Sequence, residues 1–211
     1  AYPREVIMLR GQNEEISMAE KNGLAENIKK HFGQEILEEF YAFFAKLPVA
    51  HYIDSEYKKI FTVHGGVPVK PEEPIKAYPI RTLTFRSFKE NLADMDSISQ
   101  QFLYNQSAPK LPRGAHIKPL AGGMGYTYGQ RVFTEFTRKN KIDLFVSGSK
   151  ALKEGYSMEF KNKLLNIFSN SEAGGQLMNS KIVEVRFPKD PEYPEDEYEY
   201  EEEEGEEGEE E

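Results

Sequence analysis

The chain has 211 residues, which is enough for one domain of ordinary size with an apolar core. Its lack of cysteine excludes disulfides, thiolate zinc sites and cysteine nucleophiles. No apolar run approaches the roughly 18 residues of a membrane span, so we expect no membrane partner and an intracellular protein, cytoplasmic or nuclear. The chain opens on a strand-like run without an initiator methionine, from which we expect a longer coding unit upstream.

The net charge of −9 is unevenly distributed along the chain. Residues 188–211 carry fifteen Asp and Glu against one Lys, whereas residues 1–187 have twenty-six Lys and Arg against twenty-one acidic residues. This composition predicts a domain over residues 1–187 and a disordered acidic tail over 188–211. Such a tail often only aids solubility. We also expect protein partners, with the tail docking on a basic partner surface or on the chain's own basic body, and no nucleic acid.

Apolar spacing predicts a mixed α/β domain. In chain order, we predict a strand over residues 5–9 and polar helices over 15–31, broken near Asn22 and Gly23. An amphipathic helix over Gln34–Lys46, ended by Pro48, should bury a broad aromatic face. Strands at 49–53 and 59–63 precede an irregular stretch, 67–120, and a glycine-rich strand or loop, 122–129. A helix over Gln130–Asn140 leads to strands at 142–146, 156–160, 163–168 and 181–187, with antiparallel pairs.

His64 follows the buried strand 59–63 and precedes two glycines, which allow a sharp turn and a close approach of the backbone to a neighbour. An imidazole held at the end of a strand is well placed to bind a transition metal. A lone histidine in this position is more often structural, however, so the flanking motifs have to decide between the two interpretations.

The order of the motifs along the chain carries more information than any one of them. They are Leu9-Arg10-Gly11-x-x-Glu14, Leu47-Pro48-Val49-Ala50, Phe61-x-Val63-His64-Gly65-Gly66-Val67, Gly125-Tyr-Thr-Tyr-Gly129, Asp143-Leu144, Glu154-Gly155-Tyr156 and Ile167-Phe168-Ser169. This series resembles the carboxy-terminal part of the catalytic domain of the serine/threonine phosphoprotein phosphatases, the family that includes calcineurin. The resemblance implies an α/β fold, a calcineurin-like metallophosphatase β-sandwich flanked by helices. It also implies loops at one sheet edge that hold two divalent metal ions, manganese, iron or zinc.

The family's catalytic motifs are altered or absent. Its upstream Gly-Asp-x-His-Gly and Gly-Asp-x-x-Asp-Arg-Gly ligand motifs have no counterpart in this chain. Where the family has Arg-Gly-Asn-His-Glu, this chain has Gln12 and Asn13 in place of the bridging asparagine and the histidine. The other altered family positions are Gly122 for a phosphate-gripping arginine, Ser147 for an arginine, Ser149 for a histidine and Ala173 for the active-site tyrosine. The resemblance therefore leaves no intact catalytic or phosphate-binding set, and only His64 as a vestigial metal ligand.

One histidine cannot hold the two ions that would clamp a phosphate and lower the pKa of a bridging water. We therefore expect no cofactor and a catalytically inactive pseudophosphatase that acts as a binding or regulatory protein. Two alternatives stay open. The chain could be a fragment of an active metal-dependent phosphatase whose amino-terminal half supplies the other ligands, or a non-functional gene product.

Overall fold

The computed structural model describes residues 6–80, 97–121 and 124–187. A short 3-10 helix, Gln12–Glu14, is followed by α1 (Ile16–Lys21), α2 (Leu24–Phe32) and α3 (Gln34–Lys46), and two later helices are α4 (Ser97–Tyr104) and α5 (Gln130–Asn140). The strands are β1 (Ala50–Asp54), β2 (Lys59–Val63), β3 (Gln106–Ser107), β4 (Ile117–Pro119), β5 (Tyr126–Tyr128), β6 (Leu144–Ser147), β7 (Tyr156–Glu159), β8 (Leu164–Ile167), β9 (Glu172–Ala173) and β10 (Gln176–Leu177). The mixed α/β architecture confirms the expected fold class.

The main sheet has the strand order β1-β2-β6-β8-β7. Its outer pairs, β1 with β2 and β7 with β8, are antiparallel, whereas β2, β6 and β8 run parallel. The antiparallel pairs were predicted. The parallel arrangement of β2, β6 and β8 at the centre of the sheet was not. Because parallel strands end at the same edge, the residues after β2, β6 and β8 meet there, and His64 is among them.

Phenylalanine rings fill the core on the helical side of this sheet. Phe61 of β2 lies with its ring centroid 5.3 Å from Phe145 of β6 and 5.7 Å from Phe102 of α4. Phe133 and Phe136 of α5 are also buried and pack against Phe145. A second sheet has the strand order β3-β5-β4. The core therefore fixes β2 and β6, the two strands that lead into the candidate site.

The predicted helices are largely confirmed. The break between α1 and α2 falls at Asn22 and Gly23, where Gly23 has φ +79. The aromatic face of α3 is less buried than expected, because only Leu37 and Phe44 are buried while Phe40 and Phe43 remain 37% and 44% exposed. The prediction that this whole face belongs to the core is therefore wrong.

Two predicted strands are absent from the part of the chain that the structure describes. Residues 6–9 and 181–187 form no ladder, since no neighbouring strand in that part pairs with them and an apolar run alone does not make a strand. Several of their apolar side chains are exposed, such as Val6 at 65% and Ile182 at 92%. The predicted strand at 142–146 is shifted to Leu144–Ser147. The acidic tail, 188–211, lies outside the described residues.

Within the described ranges, none of the helices combines the length and the apolar character that crossing a membrane requires.

Candidate functional site

His64 is held in a tight turn at the carboxyl end of β2. The Gly65 N–H donates to the carbonyl oxygen of Phe102, and the Gly148 N–H donates to the carbonyl oxygen of His64, at 2.8 and 2.9 Å. A Cβ on Gly65 would lie 2.6 Å from the main chain of Leu103, and one on Gly66 would lie 2.4 Å from the ring of Tyr128. The two glycines are therefore needed for close approach to α4 and β5, as the sequence predicted.

A groove of about 500 Å³ opens beside His64. It lies between the turn after Gly11, the carboxyl ends of β2 and β6, and the end of α3. The residues of its lining that matter for chemistry are Gln12, Asn13, Glu14, His64 and Ser147, and Met8 and Phe43 add exposed apolar surface. The structure thus brings together four positions that the sequence singled out, which are Gln12, Asn13, His64 and Ser147.

The His64 ring is largely buried and has one unengaged nitrogen. Its Nε2 atom is buried and has no hydrogen-bond partner among the described residues. Burial lowers the pKa of the imidazole below its ordinary value of 6.5, so the neutral form prevails at pH 7. A Cβ on Gly11 would lie 3.3 Å from Nδ1, so the glycine leaves room for the ring. His64 therefore offers a neutral ring with a lone pair, as a metal ligand would.

The segment that corresponds to the family's Arg-Gly-Asn-His-Glu motif is ordered by its own hydrogen bonds. Glu14 Oε2 accepts from the Gly11 N–H at 2.8 Å. The side chain of Asn13 is exposed, and its Oδ1 accepts from Asn22 Nδ2 at 2.8 Å. A side-chain amide neither loses nor gains a proton near neutral pH. Asn13 therefore cannot replace a histidine in proton transfer. Its side-chain carbonyl oxygen already accepts a hydrogen bond from Asn22, at the end of α1.

Arg10 is buried, with 1% of its surface exposed. Its Nε donates to the main-chain oxygen of Glu14 at 3.2 Å. Burial lowers the pKa of the guanidinium, while the charges of Glu15 and Glu14 act in the opposite direction. Arg10 thus ties the motif to the domain and does not line the groove.

The remaining predicted positions are not gathered in the groove. Ser149 follows β6, and its buried Oγ has no hydrogen-bond partner within the described part of the chain. Ala173 lies in the short β9–β10 hairpin together with the exposed Glu172. Neither residue lines the groove. Gly122 falls outside the described residues.

The donors at the groove do not fit a pair of divalent ions. In residues 6–80, 97–121 and 124–187, no three His, Asp or Glu side chains are placed to share a metal. The groove offers one imidazole, one carboxylate that already accepts a backbone N–H, and the amides of Gln12 and Asn13. A dinuclear site needs several imidazole and carboxylate ligands. These residues alone therefore supply fewer ligands than a dinuclear site needs.

Several long-range contacts, which no local sequence pattern indicated, position this region. Ser147 Oγ lies 2.6 Å from the carbonyl oxygen of Gly65 and 3.1 Å from that of His64. Buried Asn105 donates to the carbonyl oxygen of Val67 and accepts from the Tyr126 N–H, which joins the chain after His64 to β5. Lys150 bridges Ser107 and Glu159 just after the site. Such partners are distant in sequence, so no local pattern indicates them.

Comparisons with known proteins identify the family of this chain. A family model described as calcineurin-like phosphoesterase matches residues 1–148. Serine/threonine-protein phosphatase 5 of Arabidopsis thaliana is 28% identical over 185 residues, and that of Solanum lycopersicum is 29% identical over 185 residues; each alignment covers 88% of this chain. Serine/threonine-protein phosphatase T of Trypanosoma brucei brucei is 27% identical over 188 residues. The chain spans about a third of the length of these relatives, 32%, 31% and 37% respectively.

A solved structure shows the same fold. It is a protein serine/threonine phosphatase from Saccharomyces cerevisiae, described as similar to human phosphatase PP5. The TM-score is 0.66 at 22% identity, and the match covers 80% of this chain and 49% of the yeast chain. Since the family model matches well over half of the residues, the chain belongs to the calcineurin-like phosphoesterases, with serine/threonine phosphatase 5 among its relatives.

Proposed function

We propose that this chain is a pseudophosphatase, a member of the phosphoprotein phosphatase family that recognises partners without hydrolysing phosphate esters. The observation that supports it is the composition of the groove beside His64. Gln12 and Asn13 stand where the family has an asparagine and a histidine, and Asn13 is engaged by Asn22. The loss of a general acid typically lowers the rate about 10²- to 10⁴-fold, and the loss of metal ligands adds to that.

The test combines metal content with turnover. The purified chain is incubated with manganese, iron and zinc, its metal content is measured by elemental analysis, and hydrolysis of an aryl phosphate is followed. We expect less than one ion per chain and no turnover above the buffer blank. His64→Ala is compared with His31→Ala, which changes an exposed histidine on α2. Two ions per chain with turnover that disappears in His64→Ala and persists in His31→Ala would contradict the proposal.

Recognition is tested separately from turnover. Phenylphosphonate, which has no hydrolysable ester, is titrated while the amide resonances of Gly11 and Gly148 are recorded. We expect no saturable shifts at these two amides, which lie beside His64, because the described lining of the groove includes the Glu14 carboxylate and no lysine or arginine. Saturable shifts would mean that a phosphate-binding set survives in the groove.

A second function is favoured by one observation. The unpartnered Nε2 of His64 is the atom that a metal ligand would present. In this alternative, the chain is the later part of an active metal-dependent phosphatase, and a segment with the Gly-Asp-x-His-Gly motif supplies the remaining ligands. Joining such a segment ahead of residue 1 should raise metal content to two ions per chain. Gln12 and Asn13 argue against full activity even then, which Gln12→Asn with Asn13→His would test.

A further inference from the structure

A basic groove lies at the edge of the main sheet opposite His64. Because β2, β6 and β8 are parallel, their amino ends share that edge, where Lys59 N donates to Asp143 Oδ2 at 2.9 Å. The groove has a volume of about 420 Å³ and lies between α5 and the turn from β7 to β8. Five cationic side chains, Lys59, Arg138, Lys141, Lys161 and Lys163, line it, against one carboxylate, Asp143.

Three of these cations have no counter-ion within the described ranges. Lys59 pairs with Asp54, and Arg138 pairs with Glu135 at 2.6 Å. Lys141, Lys161 and Lys163 are exposed and make no ion pair with the described carboxylates. Like charges placed side by side repel one another and attract an anionic segment. The groove therefore favours a ligand with several negative charges.

The backbone fixes two of these lysines in an uncommon conformation. Lys141 has φ +55 and Lys161 has φ +60, in the left-handed region that side-chain-bearing residues rarely adopt. Lys141 ends α5 and Lys161 lies in the β7–β8 turn, so the two walls of the groove each carry one. The backbone positions of these two lysines are thus set by the fold.

The described chain ends beside this groove. The ring of Phe187 stacks on Tyr57, with centroids 6.0 Å apart and an interplanar angle of 29°. Tyr57 precedes Lys59 by two residues, at the amino end of β2. The acidic segment begins at Pro188 and holds fifteen Asp and Glu in 24 residues. At about 3.3 Å per extended residue, its first acidic residues are within reach of the lysines.

We propose that residues 188–211 bind intramolecularly in the groove formed by Lys59, Arg138, Lys141, Lys161 and Lys163. Tethering so close to the site gives the tail an effective concentration in the millimolar range, which suits several weak ion pairs. The tyrosines of the tail can also stack against lysine ammonium groups. The tail then covers the basic edge, leaves the His64 edge open, and competes with any acidic partner for the same surface.

The experiment uses the full chain, and the absence of cysteine allows a single nitroxide label on Gly205→Cys. Paramagnetic broadening of the amides of Lys141, Lys161 and Lys163 is compared with that of Gly11 and Gly148 at the opposite edge. We expect strong broadening at the groove in low salt and none at the His64 edge. At about 1 M salt the Debye length falls to about 3 Å, so the broadening should disappear.

Two triple variants of matched charge test which lysines are responsible. Lys141→Gln, Lys161→Gln and Lys163→Gln together should lower the ratio of docked to free tail roughly tenfold, since each exposed ion pair contributes a small factor. The control, Lys21→Gln, Lys29→Gln and Lys30→Gln, removes three exposed lysines on α1 and α2 and should leave the broadening unchanged.

Three results would overturn the proposal. They are the absence of salt-sensitive broadening at the groove, an equal loss of broadening in both triple variants, and broadening in a mixed sample. The mixed sample combines two kinds of chain. One carries the nitroxide but no nitrogen-15, and the other carries nitrogen-15 but no nitroxide. Broadening there would assign the groove to the tail of a second copy.

Discussion

Ser147 Oγ lies 2.6 Å from the main-chain oxygen of Gly65, so the end of β6 is hydrogen-bonded to the turn that carries His64. The resemblance to the phosphatases places an arginine at this position, and the serine makes a contact inside the domain that stabilises the turn. The Gly148 N–H, next in the chain, donates to the carbonyl oxygen of His64. Ser147, the last residue of β6, and Gly148, which follows it, therefore set the position of His64.

Ser147→Ala should lower the free energy of unfolding by about 1–3 kcal/mol, because it leaves the buried Gly65 carbonyl oxygen without this donor. The measurement is urea denaturation. Ser180→Ala, which changes an exposed serine, serves as the control and should have little effect. Equal stability of the two variants would mean that the Ser147 hydrogen bond contributes nothing to the turn.

Gly65→Ala should destabilise the domain by about 1–3 kcal/mol, because its Cβ would lie 2.6 Å from the main chain of Leu103 and the backbone would have to shift. Gly148→Ala is the matched control, since its Cβ would meet the His64 ring only at 3.9 Å, an ordinary contact distance. Both are compared by thermal unfolding. A Gly65→Ala variant as stable as Gly148→Ala would show that α4 can move away from the turn.

The sequence predicted individual helices and strands better than it predicted which parts of the chain contact one another. Helical spacing gave α3 and α5 with correct ends, because periodicity is a local property. The strand at residues 181–187 was wrong, because an apolar run becomes a strand only where another strand pairs with it. In the same way the motifs located His64 and Gln12. They could not show that Ser147 contacts Gly65, since that contact joins residues 82 apart in the chain.

Lower pH should destabilise the domain through His64. Its pKa is lowered by burial, so between its lowered native value and its unfolded value of about 6.5 the unfolded chain binds more protons than the native chain. This contribution to stability is complete above pH 6.5 and is lost as the pH falls. Chemical denaturation at pH 7.5 and at pH values below 6 measures it. His64→Gln should flatten the dependence, whereas His31→Gln, at an exposed position, should leave it unchanged.

Removing the Lys150 ammonium should be more costly than removing any exposed cation. Lys150 Nζ lies 2.7 Å from Glu159 Oε1 and 2.6 Å from Ser107 Oγ, with only 19% and 10% of the Lys150 and Glu159 side chains exposed. Lys150→Met leaves the Glu159 carboxylate without its counter-ion, and such breaks of a buried pair cost about 3–5 kcal/mol. Lys150→Met with Glu159→Leu should recover much of this loss, because no isolated charge remains. Lys76→Met, which breaks the exposed pair with Glu73, is the control and should give no measurable change. If the double variant were no more stable than Lys150→Met in urea denaturation, the loss would come from packing of the lysine stem and not from the unpaired carboxylate.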